Sequence, residues 1–343
     1  MEITLKLASE NDAQIWDKIV TSSPQGSIFH TWKWLHLVEK HTDTRLYPIM
    51  GLKGEAIIGI LPVFHMKKYG MSAAFSPPPS TDIPYLGPVL KDSEGYSQYK
   101  KESIEKEFQS SVDHYLTSDL GCGFIALTLS THHDPRPYMW ADYILEPIFD
   151  YHLNLNQDIE AIWQKMNNKL RAVIKRTEKQ GVTIEDGSEA DLIDIYNSVF
   201  RRYKEQNRSL TLSQDYLVDL YRAFYPENFK VFVAKENGET IGGIVAISYN
   251  NRILSWVGKA KPESSNISPN DLAQWEIIRY ANSKGYSLYE EIGAGTERLS
   301  RFKAKFNPKP VCRFYVRKYP SRSYRILEKA YSTTVKRVIG KLV

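Results

Sequence analysis

The stretch FKVFVAKENGETIGGIVAISYNNRILSWVG, residues 229–258, decides the fold. Residues 229–235 read as a strand, Asn237-Gly238 is a dipeptide that tight hairpins favour because both positions accept positive φ, and residues 240–249 return as a second strand. Residues 252–258 make a third. Upstream, Ile159, Ile162, Trp163, Met166, Leu170, Val173 and Ile174 recur at steps of three and four, the spacing of one amphipathic helix closing at Gly181. A second helix follows Ser188, with Leu192, Ile195, Tyr196, Val199 and Tyr203 on one face. Downstream, Ser268-Pro269 starts a third helix that Gly285 closes. Residues 286–292 then read as a strand leading into Gly293-Ala294-Gly295.

The first half runs in nearly the same order. An opening strand, helices near residues 12–20 and 31–41, a hairpin over 45–66 turning at Lys53-Gly54, a long helix near 99–116 and a strand at 124–129 follow one another. GEAIIGILPV (54–63) echoes GETIGGIVAI (238–247). Duplication of one α/β unit is the economical reading, and it predicts an α/β (α+β) chain of two mixed-sheet domains, residues 1–148 and 149–320. Residues 321–343 set Ile326, Leu327, Val335, Val338 and Leu342 against Arg325, Lys329, Lys336, Arg337 and Lys341. That is the pattern of a basic amphipathic C-terminal helix, which either docks on its own domain or lies on an anionic membrane surface. SPPPSTDIPYLGPVL (76–90) reads as a loop, either functional or a passive crossover.

The whole chain, at 343 residues, is long enough for two such domains, and its hydrophobic content of 42% is an ordinary globular balance. Two cysteines, Cys122 and Cys312, lie far apart without partners at zinc-ligand spacing, so neither a disulfide framework nor a Cys metal site is expected and a reducing cytoplasm fits. No 18-residue apolar run is present, which argues against membrane spanning. His132-His133-Asp134 sits among prolines without a second ligand cluster, so no metal is expected there. The charge is unevenly placed. From residue 298 onward 14 Lys/Arg stand against one acid, and within 165–179 six stand against one. Such patches suit an anionic partner: a phosphate-bearing substrate, a nucleic acid or a membrane surface.

Four segments resemble, in order, the Fem-type aminoacyltransferases that build peptidoglycan cross-bridges, and their acyltransferase relatives in the GNAT superfamily. They are GSIFHTWKW (26–34), PYLGPVL (84–90), LRAVIKRTEKQGVTIE (170–185) and SLYEEIGAGTERLSRFKAKFNPKP (287–310), the last similar to the family's strand, Gly turn and Phe-Lys-x-x-Phe element. Glu291 stands where the family often has Asp, and Asn307 where it has Gly. The resemblance implies two tandem GNAT-like domains, with the catalytic segment in the second. It also implies a cytoplasmic transferase that moves an acyl or aminoacyl group to a primary amine of a cell-envelope precursor, of peptidoglycan or surface polysaccharide. The implied donor is an aminoacyl-tRNA or an acyl-CoA, with no tightly bound cofactor. The acceptor is a phosphate-bearing precursor, with tRNA and peripheral membrane contact as further partners.

The residues support such chemistry on their own terms. Amide formation needs an amine, an activated carbonyl and a positive charge or donors aimed at the developing oxyanion. Lys303, between Phe302 and Phe306, is the candidate for that charge, the aromatic rings keeping its ammonium from bulk water. The resemblance points to the same Lys. The alternative is a surface lysine paired with Glu291. Arg171 and Lys175 share one helical flank and, with Arg208, are candidates for clamping phosphates. Glu291 and Trp256 complete the substrate-binding candidates, Trp256 and Trp275 serving either as pocket walls or as core. The connection 258–268 has one glycine, so the usual Gly-rich grip on a CoA pyrophosphate is not visible. Two further readings stay open: an acyl-CoA-dependent N-acetyltransferase acting on a small amine or nucleotide sugar, and a non-catalytic nucleic-acid or membrane-surface binding protein.

Overall fold

The computed structural model describes residues 2–68, 70–91, 95–207, 210–258, 267–321 and 324. The chain divides into two units, one of Met1–Pro147 with the chain from Arg313, the other of Ile148–Cys312.

In the first unit β1 (Thr4–Leu7), α1 (Ala13–Ser22) and α2 (Trp32–His41) precede a three-strand run, β2 (Arg45–Lys53), β3 (Ala56–Lys68) and β4 (Met71–Ser76). The short β5 (Val89–Leu90) pairs with β3; α3 (Gln98–His114), β6 (Phe124–Thr128) and α4 (Arg136–Trp140) follow. Strands pair in the order β1-β2-β3-β4-β6, antiparallel except for the parallel step from β4 to β6. The strand Lys309–Lys318 adds antiparallel to β6. Ile49, Leu61, Ala74, Ile125 and Leu127 from the sheet meet Phe108 and Val112 of α3 in one core.

The second unit runs β7 (Ile144–Asn154), α5 (Ile159–Lys165), α6 (Asn168–Lys179), β8 (Thr183–Asp186), α7 (Glu189–Glu205) and α8 (Gln214–Phe224). Then come β9 (Phe229–Glu236), β10 (Glu239–Tyr249), β11 (Arg252–Gly258), α9 (Pro269–Ser283), β12 (Leu288–Glu291) and α10 (Glu297–Ala304). Its strand order is β8-β9-β10-β11-β12-β7, again antiparallel except for one parallel step, β11 to β12. Asn237 and Gly238 take φ of 52° and 83°, the paired left-handed geometry the hairpin requires. Ser188 and Asp191 form a reciprocal capping box at the start of α7. Ile244, Ala246, Ile253, Leu272, Trp275 and Ile278 form the centre of the core between the sheet and α9.

Two expectations change. The single helix read over 159–181 is two, because Met166 is extended and the Asn167 side chain accepts from the backbone N–H groups of Lys169 and Leu170, starting α6 afresh. The second domain, read as ending at 320, gives up its chain from Arg313, because Tyr315–Lys318 of the last strand, β13 (Lys309–Lys318), pair with β6. The helix α8 had not been expected. The basic stretch read as a C-terminal helix lies, from residue 325, outside the described residues.

Candidate functional site

β11 and β12 lie side by side only as far as Ser255 and Glu291. Beyond that point β11 continues to Gly258 along β10, with an irregularity at Trp256, while β12 gives way to a turn at Gly293, φ 87°. The parallel pair is therefore open at its carboxyl end, where the N-terminus of α9 begins. In α/β sheets this is the place that admits ligands.

A cluster of buried polar side chains fills this end of the sheet. Glu291 is 2% exposed and Lys303, on α10, 6%. Their charges are 3.3 Å apart. The Lys303 ammonium also donates to the carbonyl oxygens of Ile292 and, at 2.8 Å, of Gly293. The other Glu291 oxygen accepts from the Tyr289 hydroxyl at 2.5 Å and from Gln274 Nε2 at 2.7 Å. Burial, with the Glu291 charge adding to it, pushes the Tyr289 phenol well above its usual range, so it stays protonated and donates. Gln274 Oε1 is buried without a hydrogen bond among the described residues, and Ser255 Oγ is buried beside the Tyr289 hydroxyl. Gly293 N donates to Asp150 Oδ1 at 2.6 Å, and Ala294 N to Phe149 O at 2.7 Å, which fixes the turn against β7.

The candidates named from sequence fall into separate places. Lys303 and Glu291 come together, as one of the two readings had it, but as a buried pair and not on the surface. Phe302 is half-buried and faces the Lys305 ammonium, 4.4 Å from its ring centre, while Phe306 belongs to the core. Lys305 in turn reaches Asp271, buried in the first turn of α9, at 2.9 Å, and Ser268 Oγ donates to the same carboxylate. Arg171 and Lys175 do share a flank of α6. The Arg171 guanidinium donates to Gln164 and Asn168, at 2.5 and 2.6 Å, while exposed Lys175 lies over the Trp163 ring. Asn167 N donates to Lys305 O at 2.9 Å, tying the start of α6 to the end of α10. Trp256 packs edge-on to Phe229, which meets Tyr221 of α8. Trp275 is core, against Trp163. Arg208 lies outside the described residues, as do residues 259–266 of the connection before α9.

Sequence reasoning missed Tyr289, Gln274, Ser255 and Asp150. The signal was there: LYEE puts a tyrosine and two acids in a strand that the topology must bury, and Gln274 stands among apolar residues on α9. Buried polar groups of this kind need partners, and their partners define the site. Among the described residues no group of three or more His, Cys, Asp or Glu is placed to hold a metal ion, and no helix is long and apolar enough to cross a membrane.

Residues 164–303 match the family model of the acetyltransferase (GNAT) domain. The match lies wholly within the second unit. It begins in α5 and ends on Lys303, so it encloses the polar cluster. Over 130 residues the chain is 22% identical to the UDP-N-acetylmuramoylpentapeptide-lysine N(6)-alanyltransferase of Weissella viridescens. That match covers 38% of this chain and 38% of the relative, well under its full length. The fold is similar to the crystal structure of FemX, with a TM-score of 0.69 at 13% identity over 92% of this chain and 97% of that one. It is also similar to a tandem GNAT protein from the clavulanic acid biosynthesis pathway, with a TM-score of 0.52 at 12% identity over 93% and 99%. The chain shares the fold of these proteins, two mixed-sheet α/β units as the duplicated sequence predicts.

Proposed function

We propose that this protein transfers an aminoacyl or acyl group to a primary amine on a cell-envelope precursor. The observation that carries the reading is the coincidence of the GNAT match with the buried Lys303–Glu291 pair at the open end of β11 and β12. The reaction needs the amine to attack the activated carbonyl, with the negative charge of the intermediate met by fixed donors or a fixed positive charge. Lys303 supplies a charge in a place where water is excluded and Coulomb attraction is strong. Its ammonium also holds the Ile292 and Gly293 carbonyls, so it positions the turn as well. Phe302 faces the Lys305 ammonium. Arg171, Lys175 and Arg208 remain the candidates for substrate phosphates, with Arg171 already held in place by two side chains, and Trp256 is a wall at the irregularity of β11.

An aminoacyl-tRNA donor is favoured by Asp271. The first turn of the helix after β11 is where a CoA pyrophosphate would dock on backbone N–H groups. Here a buried carboxylate, held by Lys305 and Ser268, already stands in that turn. The acyl-CoA reading draws on the GNAT match itself. Incubating the protein with a nucleotide-linked muramyl peptide precursor and either a charged tRNA pool or acetyl-CoA, then weighing the products, separates the two. A mass increment of one aminoacyl group from the tRNA arm is expected. An acetyl increment transfers the reading to CoA, and no increment in either arm removes it. A cytoplasmic site of action and peripheral contact through the basic C-terminal stretch belong to the same proposal, since both the donor and a lipid-linked acceptor are reached from that side of the membrane.

A further inference from the structure

The first unit holds a cleft that the transfer reading does not use. It has a volume of about 170 Å³ and lies between α3, the start of β3 and β5. That is smaller than the roughly 300–1,000 Å³ sites that take drug-sized ligands, so its occupant is small. Pro24, Ile57, Leu90 and Ile104 give it apolar walls, and Glu105 and Lys101, one turn apart on α3, both line it. Both side chains are half-buried, and among the described residues neither makes a hydrogen bond or an ion pair, with each other or with anything else.

We infer that this cleft binds the zwitterionic end of an amino acid, the ammonium on Glu105, the carboxylate on Lys101 and an aliphatic side chain on the apolar walls. An unpaired acid and an unpaired base left together in an apolar recess are costly in the empty protein, and a ligand bearing both opposite charges relieves both at once. A ligand with a single charge relieves one and leaves the other. The surrounding charges agree with an ammonium at Glu105. Arg136, whose charge also reaches Glu105, makes its ion pairs with Asp134 and Glu102, at 2.5 and 2.7 Å, and none with Glu105. Burial first, and the Asp134 charge second, push the Glu105 carboxyl up to about 7, against the opposing pull of Arg136 and Lys101. His133 and Tyr138 line a small second cavity that shares Leu90 and Glu105 with this cleft, and exposed Lys91 also lines the cleft.

L-Leucine is the probe, with isobutylamine, isovalerate and isobutanol as analogues that lack one or both charges, each titrated into the full chain by NMR with the glutamate carboxyl carbons labelled. The Glu105→Gln variant assigns the Glu105 signal. The expected result is saturable binding of L-leucine that moves the Glu105 signal and is at least tenfold weaker for each analogue. Both Glu105→Gln and Lys101→Met should lose at least tenfold in L-leucine affinity, with a ligand-free melting temperature no lower than that of the wild type. Affinity should also fall as the pH is lowered below about 7, where Glu105 takes up its proton. Three results overturn the proposal: no movement of the Glu105 signal at saturating L-leucine, equal binding of isobutanol, or unchanged affinity in folded Glu105→Gln. The measurement reads binding and not transfer, so it stands or falls independently of the proposed reaction.

Discussion

The two units lay out the same six-strand order, with one parallel step between the fourth and fifth strands, and they differ in what that fifth strand carries. In the first unit it is FIALT, with Ile125, Ala126 and Leu127 buried; in the second it is LYEE, with Tyr289, Glu290 and Glu291 buried. Even the irregularities of the hairpins correspond. The register shifts between Gly51 and Leu52 in one unit and between Thr240 and Gly242 in the other, close to the same point of the echoed sequence. The scaffold has been copied; the ionic pair at the end of the fifth strand has not. Duplication therefore preserves what holds a sheet together and leaves one copy free to take on costly buried charge.

The sharpest way to break that contrast is to remove the charge. Lys303→Met alone leaves Glu291 buried without its ion-pair partner and should cost about 3–5 kcal/mol, whereas Lys303→Met with Glu291→Gln should cost far less, read by denaturant melts of both variants. A single variant as stable as wild type would show that the pair does not hold the end of β12. In a folded double variant, transfer to the amine should fall tenfold or more, and full activity there would take Lys303 out of the reaction.

A second test uses acid. His133 in the first unit is half-buried, and desolvation of its ring lowers it to about 4, while its Nδ1 accepts from the Ser130 backbone and its Nε2 lies 2.7 Å from the Pro88 carbonyl. A histidine depressed in the folded state stabilises above its unfolded value near 6.5, and that contribution, on the order of 3 kcal/mol, is lost as the pH falls from there toward 4. Glu105, raised in the same unit, works in the opposite direction, so the comparison is with His133→Gln: the loss of stability between pH 6.5 and 4 should shrink in that variant. The smallest effect tests the copying itself. A Cβ on Gly243 would come within 2.4 Å of Ile195 and 2.8 Å of the Phe232 carbonyl, and one on Gly59 within 2.7 Å of Leu90 and 3.0 Å of the Val89 carbonyl. Gly243→Ala and Gly59→Ala should each cost about 1–3 kcal/mol. A large cost at one and none at the other would mean the echoed glycines serve different ends.

Much of this was legible because it is local. Asn237-Gly238 declares its turn, Ser188 its helix start, and the echo around Gly59 and Gly243 the duplication. The break at Met166 was hidden because the apolar spacing runs straight across it, and only the side chain of Asn167, which bonds its own backbone, interrupts the helix. The return of β13 to the first unit was hidden for another reason: which edge a strand joins is settled by partners some 190 residues away, as with Tyr315 and Thr128. The site was half visible. Lys303 and Glu291 stood out as charged residues beside aromatic ones, whereas Tyr289, Gln274 and Ser255 acquire meaning only when strand pairing and α9 bring them to one buried end.

Each sheet is finished by a strand borrowed across the sequence: the segment that follows β6 pairs with β12, and the segment that follows β12 pairs with β6. During synthesis the first unit thus waits, with β6 as a bare edge, until the ribosome has delivered nearly the entire second unit and the strand behind it. An unpaired edge of that kind is an invitation to aggregate. A nascent chain stalled before residue 313 should be a better client for chaperones than the finished protein.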